Sequence, residues 1–578
     1  MMKRHFMRLF EYLLICCFCP GTGILRKDEH SPLKRTNPFG TYLNAAIASD
    51  IGACSDLGKE VLMRGGNAVD AAIPIALCVG LHSPQAAGLG GGHFMNIYNH
   101  TTKECVAIDA REVAPAAAHR DMFLDIDKVG VNASQNATSQ HRVALSSTMP
   151  PASAPFLCNS RTTTPSHAYG WLAIGVPGHL HGLYTAYERY GSGTVAWAEL
   201  LRPVIKMGEN GIVVGRRLAM FMNHAKYSGY ITDANSTLDV LLHPETSYLL
   251  KEGEVMRRPA LIETLRRLAN ATDPIRLFYN SSEMTDRIVR EIQEGGGIIT
   301  RQDMSNYRSR IRQNDEMVYV DLPNSLRGCA PPPPSSGSVT LSLLNVMTGF
   351  VHEQPKPRTL DEKVDLYHKF IEAMKFAYAD RSRFADVDFD PAVLQLAKNM
   401  TTQTYAQWVR SRIQPVAQPF EYYGAEFTPT EQQGTSHISI VDANGDAVSM
   451  TFSININFGS KRRSKSTGII WNCHMDDFST PGIPNAYGVR PCPSNFIVPG
   501  KRPQSSTSPL VIFNKDTGKV RLVVGAQGGS RIISTAAYVA TRALFMGETL
   551  SEAVNAPRIH NQLDPLVTRH ERDFPIQV

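Results

Sequence analysis

No basic stripe interleaved with aromatic residues runs through this sequence, and a net charge of only +6 is spread over 578 residues. Nucleic acid is therefore not implied as a partner. The one dense basic cluster, Lys461, Arg462, Arg463 and Lys465, reads as a solvated loop. The stretch GLGGGHF, starting at Gly88, has His93 where a dinucleotide-binding turn needs its last glycine, and it lacks the lysine of a phosphate loop. It reads as a tight backbone turn beside a pocket. No internal repeat is present. The apolar run of residues 9–19 is broken by Glu11 and followed by Pro20, Gly21 and Gly23, which leaves it short of the roughly 20 apolar residues of a spanning helix. Cysteine is sparse, with ten in all. Three of them, Cys16, Cys17 and Cys19, lie in that apolar run, where their spacing fits chance or palmitoylation better than a redox motif.

A hydrophobic content of 43% and a charged content of 19% describe an ordinary globular protein with a large core. Lys3, Arg4 and Arg8 precede the apolar run, so residues 1–25 read as a signal peptide or signal anchor. Either would put the body of the protein outside the cytosol, secreted or held on the extracellular face of the plasma membrane as a single-pass type II protein. N-x-[ST] sequons at Asn99, Asn132, Asn136, Asn235, Asn270, Asn280 and Asn399 agree with a glycosylated surface. Seven cysteines follow the leader. In an oxidising compartment some should pair, and the odd number leaves at least one free.

Residues 41–100 read as two helices broken at Gly65-Gly66 and ending in the glycine turn. Residues 127–166, rich in Ser, Thr, Asn, Ala and Pro, read as a disordered surface insertion. Residues 170–310 read as mostly helical. PPPPSSGSV at 331–339 is an extended stretch before a helix, and the sequence from Asp361 is an amphipathic helix with Leu366, Phe370, Ala373 and Phe376 at core spacing. After Gly434 the texture changes to strands. His437 to Val441 alternates, Asn444-Gly445 signals a hairpin turn, and Ala447 to Ser453 runs back. A later strand, the glycine turn GAQGG and a helix would leave the N–H groups of Gly528 and Gly529 as oxyanion donors, although glycines also punctuate ordinary strand-to-helix turns.

Gly434-Thr435 opens the strand region. A threonine hydroxyl is a weak nucleophile at neutral pH, but an N-terminal threonine carries its own base, the α-amine. An internal threonine reaches that state when its hydroxyl attacks the preceding carbonyl, and a small, conformationally free glycine suits that step. The pair alone is a weak signal, since threonine suits strands anywhere.

The wider set of motifs decides. TSHISIVDANGDAVSMTFSININFG, MDDFSTP at 475–481, GKRPQSSTSP at 500–509, GAQGG at 525–529, NAPRIHNQL at 555–563 and, earlier, GGNAVDAA and DAREVAP occur in one order. In this the sequence resembles the γ-glutamyltransferases of the N-terminal-nucleophile hydrolase superfamily, over about residues 43–570 apart from the insertion. The resemblance implies an α/β fold, the four-layer αββα sandwich. It implies self-cleavage between Gly434 and Thr435 into a large chain (26–434) and a small catalytic chain (435–578) that together form a heterodimer. Thr435 would be the nucleophile, supported by the Ser453 hydroxyl. Asn455 and Asp477 would hold the substrate α-ammonium. Arg111, Ser505 and Ser506 would hold its α-carboxylate. Gly528 and Gly529 would stabilise the oxyanion, and Cys54 and Cys78 would form a disulfide. The implied substrates are glutathione and other γ-glutamyl compounds, with water or an amino acid or peptide as acceptor. No metal or organic cofactor is implied.

The sequence departs from the family pattern at two places. His474 stands where family members place a carboxylate or carboxamide against the α-ammonium; a histidine cation there would repel the substrate, while a neutral one could still accept a hydrogen bond. Family members also continue past position 578, so an exposed sheet edge is expected. A related amidase or acylase, and a non-catalytic ectodomain that binds a partner, remain open at this point.

Overall fold

The computed structural model describes the backbone of residues 14–17 and residues 42–124, 168–353, 356–427, 434–482 and 490–575. The insertion and two of the sequons, Asn132 and Asn136, lie outside the described residues, as does most of the leader. Two sheets form the centre. Their strands, in chain order, are β1 (Leu14–Cys17), β2 (Ala46–Ser49), β3 (Gly92–Asn99), β4 (Glu104–Ala110), β5 (Arg310–Arg312), β6 (Val318–Leu322), β7 (Leu326–Ala330), β8 (Ser436–Val441), β9 (Ala447–Ser453), β10 (Leu510–Asn514) and β11 (Val520–Ala526). One sheet has the order β2-β8-β9-β3-β4-β5 and the other β1-β11-β10-β7-β6.

Three apolar cores separate four layers. Ile438, Ile440, Val448, Met450 and Phe452 of the six-stranded sheet pack on helices that include Gly52–Met63, Ala68–His82 and Trp197–Asn210. Tyr98, Ala107, Val441, Ala447, Val511, Phe513 and Val523 fill the space between the sheets. Leu510, Ile512, Leu522 and Val524 pack on the helices Gly337–Glu353, Leu360–Arg381 and Arg531–Phe545. This is the expected αββα sandwich. Strands buried on both faces explain why β8 and β9 read only partly as alternating. Their second face carries small hydroxyl residues, which let the sheets approach. Ser439 Oγ donates to Val523 O at 3.3 Å and Ser449 Oγ to Val524 O at 3.2 Å.

Local chemistry sets the other elements. Asp442 caps the β8–β9 turn by accepting from the N–H groups of Asn444 and Asp446, and Gly445 takes φ +86°. Thr359 and Glu362 form a capping box that starts the helix Leu360–Arg381, and Phe370, Ala373 and Phe376 of that helix are buried. The expected disulfide Cys54–Cys78 joins the first two helices. A second, Cys105–Cys329, was not anticipated. It ties β4 to β7 and so staples the two sheets across 224 residues of chain, a loop closure worth about 5 kcal/mol in the chain-entropy account.

Two expectations are corrected. The basic cluster is not a solvated loop. Lys461 and Arg463 are buried, with Lys461 Nζ donating to Gly459 O at 2.8 Å and lying 5.0 Å from the Tyr169 ring centroid. Arg463 Nε donates to Thr237 O at 2.6 Å. Nor is the β11 edge bare, because β1 pairs with it in parallel, Leu14 opposite Val523 and Cys17 opposite Ala526. Among the described residues no helix is long and apolar enough to cross a membrane.

Candidate active site

Gly434 enters β8 with φ +94°, and a Cβ on it would come within 2.5 Å of Asn455 O. Only glycine fits there. The chain is continuous through Gly434-Thr435, and two hydroxyls converge on the Gly434 carbonyl oxygen. Thr435 Oγ1 donates to it at 2.7 Å and Ser453 Oγ at 2.6 Å. Ser453 Oγ also accepts from the Asn455 N–H at 2.8 Å, which commits its own proton to the carbonyl. Asn455 leaves β9 in the left-handed region, φ +75°, a conformation that asparagine tolerates better than most residues. Its Nδ2 donates to Cys473 O at 3.1 Å. Its Oδ1 has no partner among the described residues.

The recognition residues lie on other segments. Arg111 follows β4 and is 3% exposed. Its guanidinium pairs with Asp477 and donates to Gln504 O at 3.0 Å and Pro503 O at 3.3 Å. From behind, Tyr307 donates to Arg111 O at 2.9 Å. Asp477 is fully buried, and that burial outweighs Arg111 and pushes its carboxyl up to about 7. Its Oδ1 also lacks a partner. Ser506 Oγ accepts from Arg381 Nη2 at 2.7 Å, and Ser505 Oγ lies 2.9 Å from Thr507 Oγ1. The stretch read only as extended, 331–336, buttresses Ser505: its N–H donates to Pro334 O at 2.9 Å, and Ser336 Oγ donates to Ser505 O at 2.6 Å.

Of the two forms that the sequence left open for His474, the surroundings favour the neutral one. Its Nδ1 lies 2.8 Å from Glu112 Oε1, and its Nε2 is 4.0 Å from Asp477 Oδ2. Burial, with Arg111 beside it, holds the imidazole well below its ordinary range, while burial raises the Glu112 carboxyl to about 8. Both shifts favour the uncharged forms, and an uncharged His474 does not repel a cation.

Gly528 and Gly529 take φ +119° and +66° between β11 and the helix Arg531–Phe545. Among the described residues no hydrogen bond joins them to Thr435. Their placement follows from the facing strands. Ser439 meets Val523, and a Cβ on Gly525 would strike the His437 ring at 2.3 Å. Continuing that step puts the turn at the Thr435 end. Gln527 Nε2 reaches Asp50 Oδ1 at 3.4 Å, and Asp50 faces Ser436 and the His437 N–H. Sequence reasoning missed Asp50, Glu112, Arg381 and Gln527. Only Glu112, adjacent to Arg111, carried any signal.

The model of the family described as Gamma-glutamyltranspeptidase matches residues 54–152 and 133–578. The chain belongs to this family. It is 36% identical over 563 residues to Scoloptoxin SSD14 of Scolopendra dehaani, covering 96% of this chain and 88% of that one. It is 35% identical over 534 residues to Glutathione hydrolase 2 of Arabidopsis thaliana, covering 91% and 82%. Among solved structures it is similar to the cephalosporin acylase from Bacillus halodurans, with a TM-score of 0.72 at 23% identity, covering 96% and 90%. That likeness bears on the fold alone, and agrees with the sandwich described above.

Proposed function

We propose that this family member cuts itself at Gly434-Thr435 and then transfers γ-glutamyl groups, with glutathione or its conjugates as donor. The observation that carries this reading is the Gly434 carbonyl oxygen held by the hydroxyls of Thr435 and Ser453. In maturation Thr435 Oγ attacks the Gly434 carbonyl carbon, its proton passes to the amide nitrogen, and the peptide C–N bond breaks to leave an ester and a free Thr435 amine. Ser453 stabilises the developing oxyanion. Water hydrolyses the ester, which frees the Gly434 carboxylate and restores the hydroxyl.

In turnover the Thr435 amine takes the hydroxyl proton as Oγ attacks the γ-carbonyl of the donor. The N–H groups of Gly528 and Gly529 receive the oxyanion, and the proton passes to the leaving amine, cysteinylglycine when glutathione is the donor. Water or an acceptor amine then takes the glutamyl group from the ester. Before substrate binds, Arg111 and Asp477 neutralise each other. A glutamyl zwitterion exchanges that single ion pair for two, carboxylate to Arg111 and ammonium to Asp477, with Asn455 Oδ1 as a further acceptor. His474 keeps its place by pairing with Glu112.

Export to an oxidising compartment, as a secreted or N-terminally anchored glycoprotein, belongs to the same reading. It is supported by the two disulfides and by the exposure of Asn99, Asn235, Asn270, Asn280 and Asn399, while Leu14–Cys17 of the leader stand as β1 against β11. The test is the intact mass of the purified, deglycosylated protein under reducing, denaturing conditions, followed by glutathione turnover. Two chains, the smaller starting at Thr435, and release of glutamate are expected. A single uncut chain without turnover would overturn the reading.

A further inference from the structure

Arg381 ends the helix Leu360–Arg381 and is 0% exposed. A fully buried guanidinium normally has every N–H engaged. Here Nη2 donates to Ser506 Oγ at 2.7 Å and Nε to Ser336 Oγ at 3.1 Å, while Nη1 has no partner among the described residues. Among the described residues no carboxylate is paired with it, although Asp477 is close enough to act on it electrostatically. Burial lowers it only to about 10, so it remains a cation at neutral pH.

Three of the unfilled buried groups on the recognition residues form a pattern, beside the Glu112 oxygens and His474 Nδ1. Asp477 Oδ1 and Asn455 Oδ1 are acceptors without donors, and Arg381 Nη1 is a donor without an acceptor. An α-amino acid end is the inverse set: an ammonium with three donors and a carboxylate with only acceptors. Arg111 is engaged before substrate arrives, by Asp477, Gln504 O and Pro503 O, whereas Arg381 Nη1 is not. We propose that Arg381 is a positioning residue for the donor α-carboxylate: it fixes the Ser506 hydroxyl and adds a second positive charge, so that the carboxylate is held between two arginines. This rests on the γ-glutamyl reading above.

The test uses the two-chain wild-type protein and its Arg381→Gln and Arg381→Lys variants. Each is assayed with L-γ-glutamyl-4-nitroanilide and with 4-aminobutanoyl-4-nitroanilide, which keeps the ammonium and lacks the α-carboxylate. For Arg381→Gln the KM of the first donor should rise about tenfold or more with kcat little changed, the loss expected for one charge-assisted contact. The kcat/KM for the second donor should stay the same, and Arg381→Lys should recover part of the loss. An unchanged KM, or an equal loss on both donors, would overturn the proposal by reducing Arg381 to a structural role. Should Arg381→Gln remain uncut, the ratio of the two kcat/KM values in Arg381→Lys decides the matter, and a ratio equal to wild type counts against the proposal. Absence of turnover by wild type would instead remove the γ-glutamyl reading, and this proposal with it.

Discussion

Thr435, Ser453 and Asn455 lie on one hairpin and its exit, within residues 434–455, and the bonds around the Gly434 carbonyl are already made. Arg111, Arg381, Asp477 and Ser506 come from four segments between positions 111 and 506, and their bonds are partly unmade: Arg381 Nη1 and Asp477 Oδ1 await partners. The nucleophile end is a local device whose first substrate is its own chain, so it must be complete as soon as β8 and β9 pair. The recognition end waits for a ligand, so it holds unfilled polar groups at a stability cost that a buried unsatisfied donor or acceptor always carries. The two ends should therefore fail separately under substitution.

The largest effects belong to the nucleophile end. Thr435→Ala should leave a single uncut chain with no measurable turnover, since both cutting and catalysis need the same oxygen. Gly434→Ala should also remain uncut, because the residue sits at φ +94° and its Cβ would meet Asn455 O at 2.5 Å. Both are read by intact mass. Normal cutting in Gly434→Ala would show that the loop 455–457 yields, and that the junction is less tightly built than the geometry indicates.

At the recognition end, Asp477→Asn should cut normally yet bind donor poorly. Loss of one charge-assisted contact with the ammonium is worth about 1.5–3 kcal/mol, or roughly a 10- to 150-fold rise in KM. The wild-type pH profile sharpens the same point. With its carboxyl raised to about 7 by burial, Asp477 is protonated below that pH and cannot neutralise an ammonium. Donor KM should fall as pH rises through about 7 and level off above it, and Asp477→Asn should abolish that dependence. A dependence that survives in Asp477→Asn and vanishes in His474→Gln would assign the control to the histidine instead.

Much of the nucleophile end was legible in the sequence because its signals are local. Gly434-Thr435, the Asn444-Gly445 turn and the return to Ser453 each have a short-range cause. The four layers were expected from the resemblance, and the alternation of Ile438 and Ile440 with His437 and Ser439 reports the helix-facing and sheet-facing sides directly. The recognition end resisted for two reasons. Ser505 and Ser506 look like any turn until Pro334, Ser336 and Arg381 are brought against them by a different part of the chain. His474 seemed a liability because its charge was judged without its neighbour, and Glu112 lies 362 positions earlier in the sequence. The basic cluster at 461–465 misled for the same reason, since lysine capped by its own loop carbonyls has no periodic signature. Cys105 and Cys329 could not be paired by spacing.

The smallest expected effect on activity joins the two strands that carry the nucleophile and the oxyanion turn. Asp50 touches both through Ser436, His437 and Gln527, and burial raises its carboxyl to about 6 from an ordinary 3.8. A carboxyl whose folded pKa is raised favours the folded state in its protonated form, so it costs stability as pH rises from about 4, with the full cost reached above about 6. A shift of this size corresponds to about 3 kcal/mol at pH 7.5. Asp50→Asn should therefore raise the melting temperature at pH 7.5 and leave it nearly unchanged at pH 4. If the carboxylate is kept because it aligns Ser436 with the glycine turn, the same variant should lose several-fold in kcat with donor KM unchanged, a trade of alignment for stability. A stabilised variant with full kcat would show that Asp50 only joins the strands, and that the oxyanion turn is set by Gly528 and Gly529 without it.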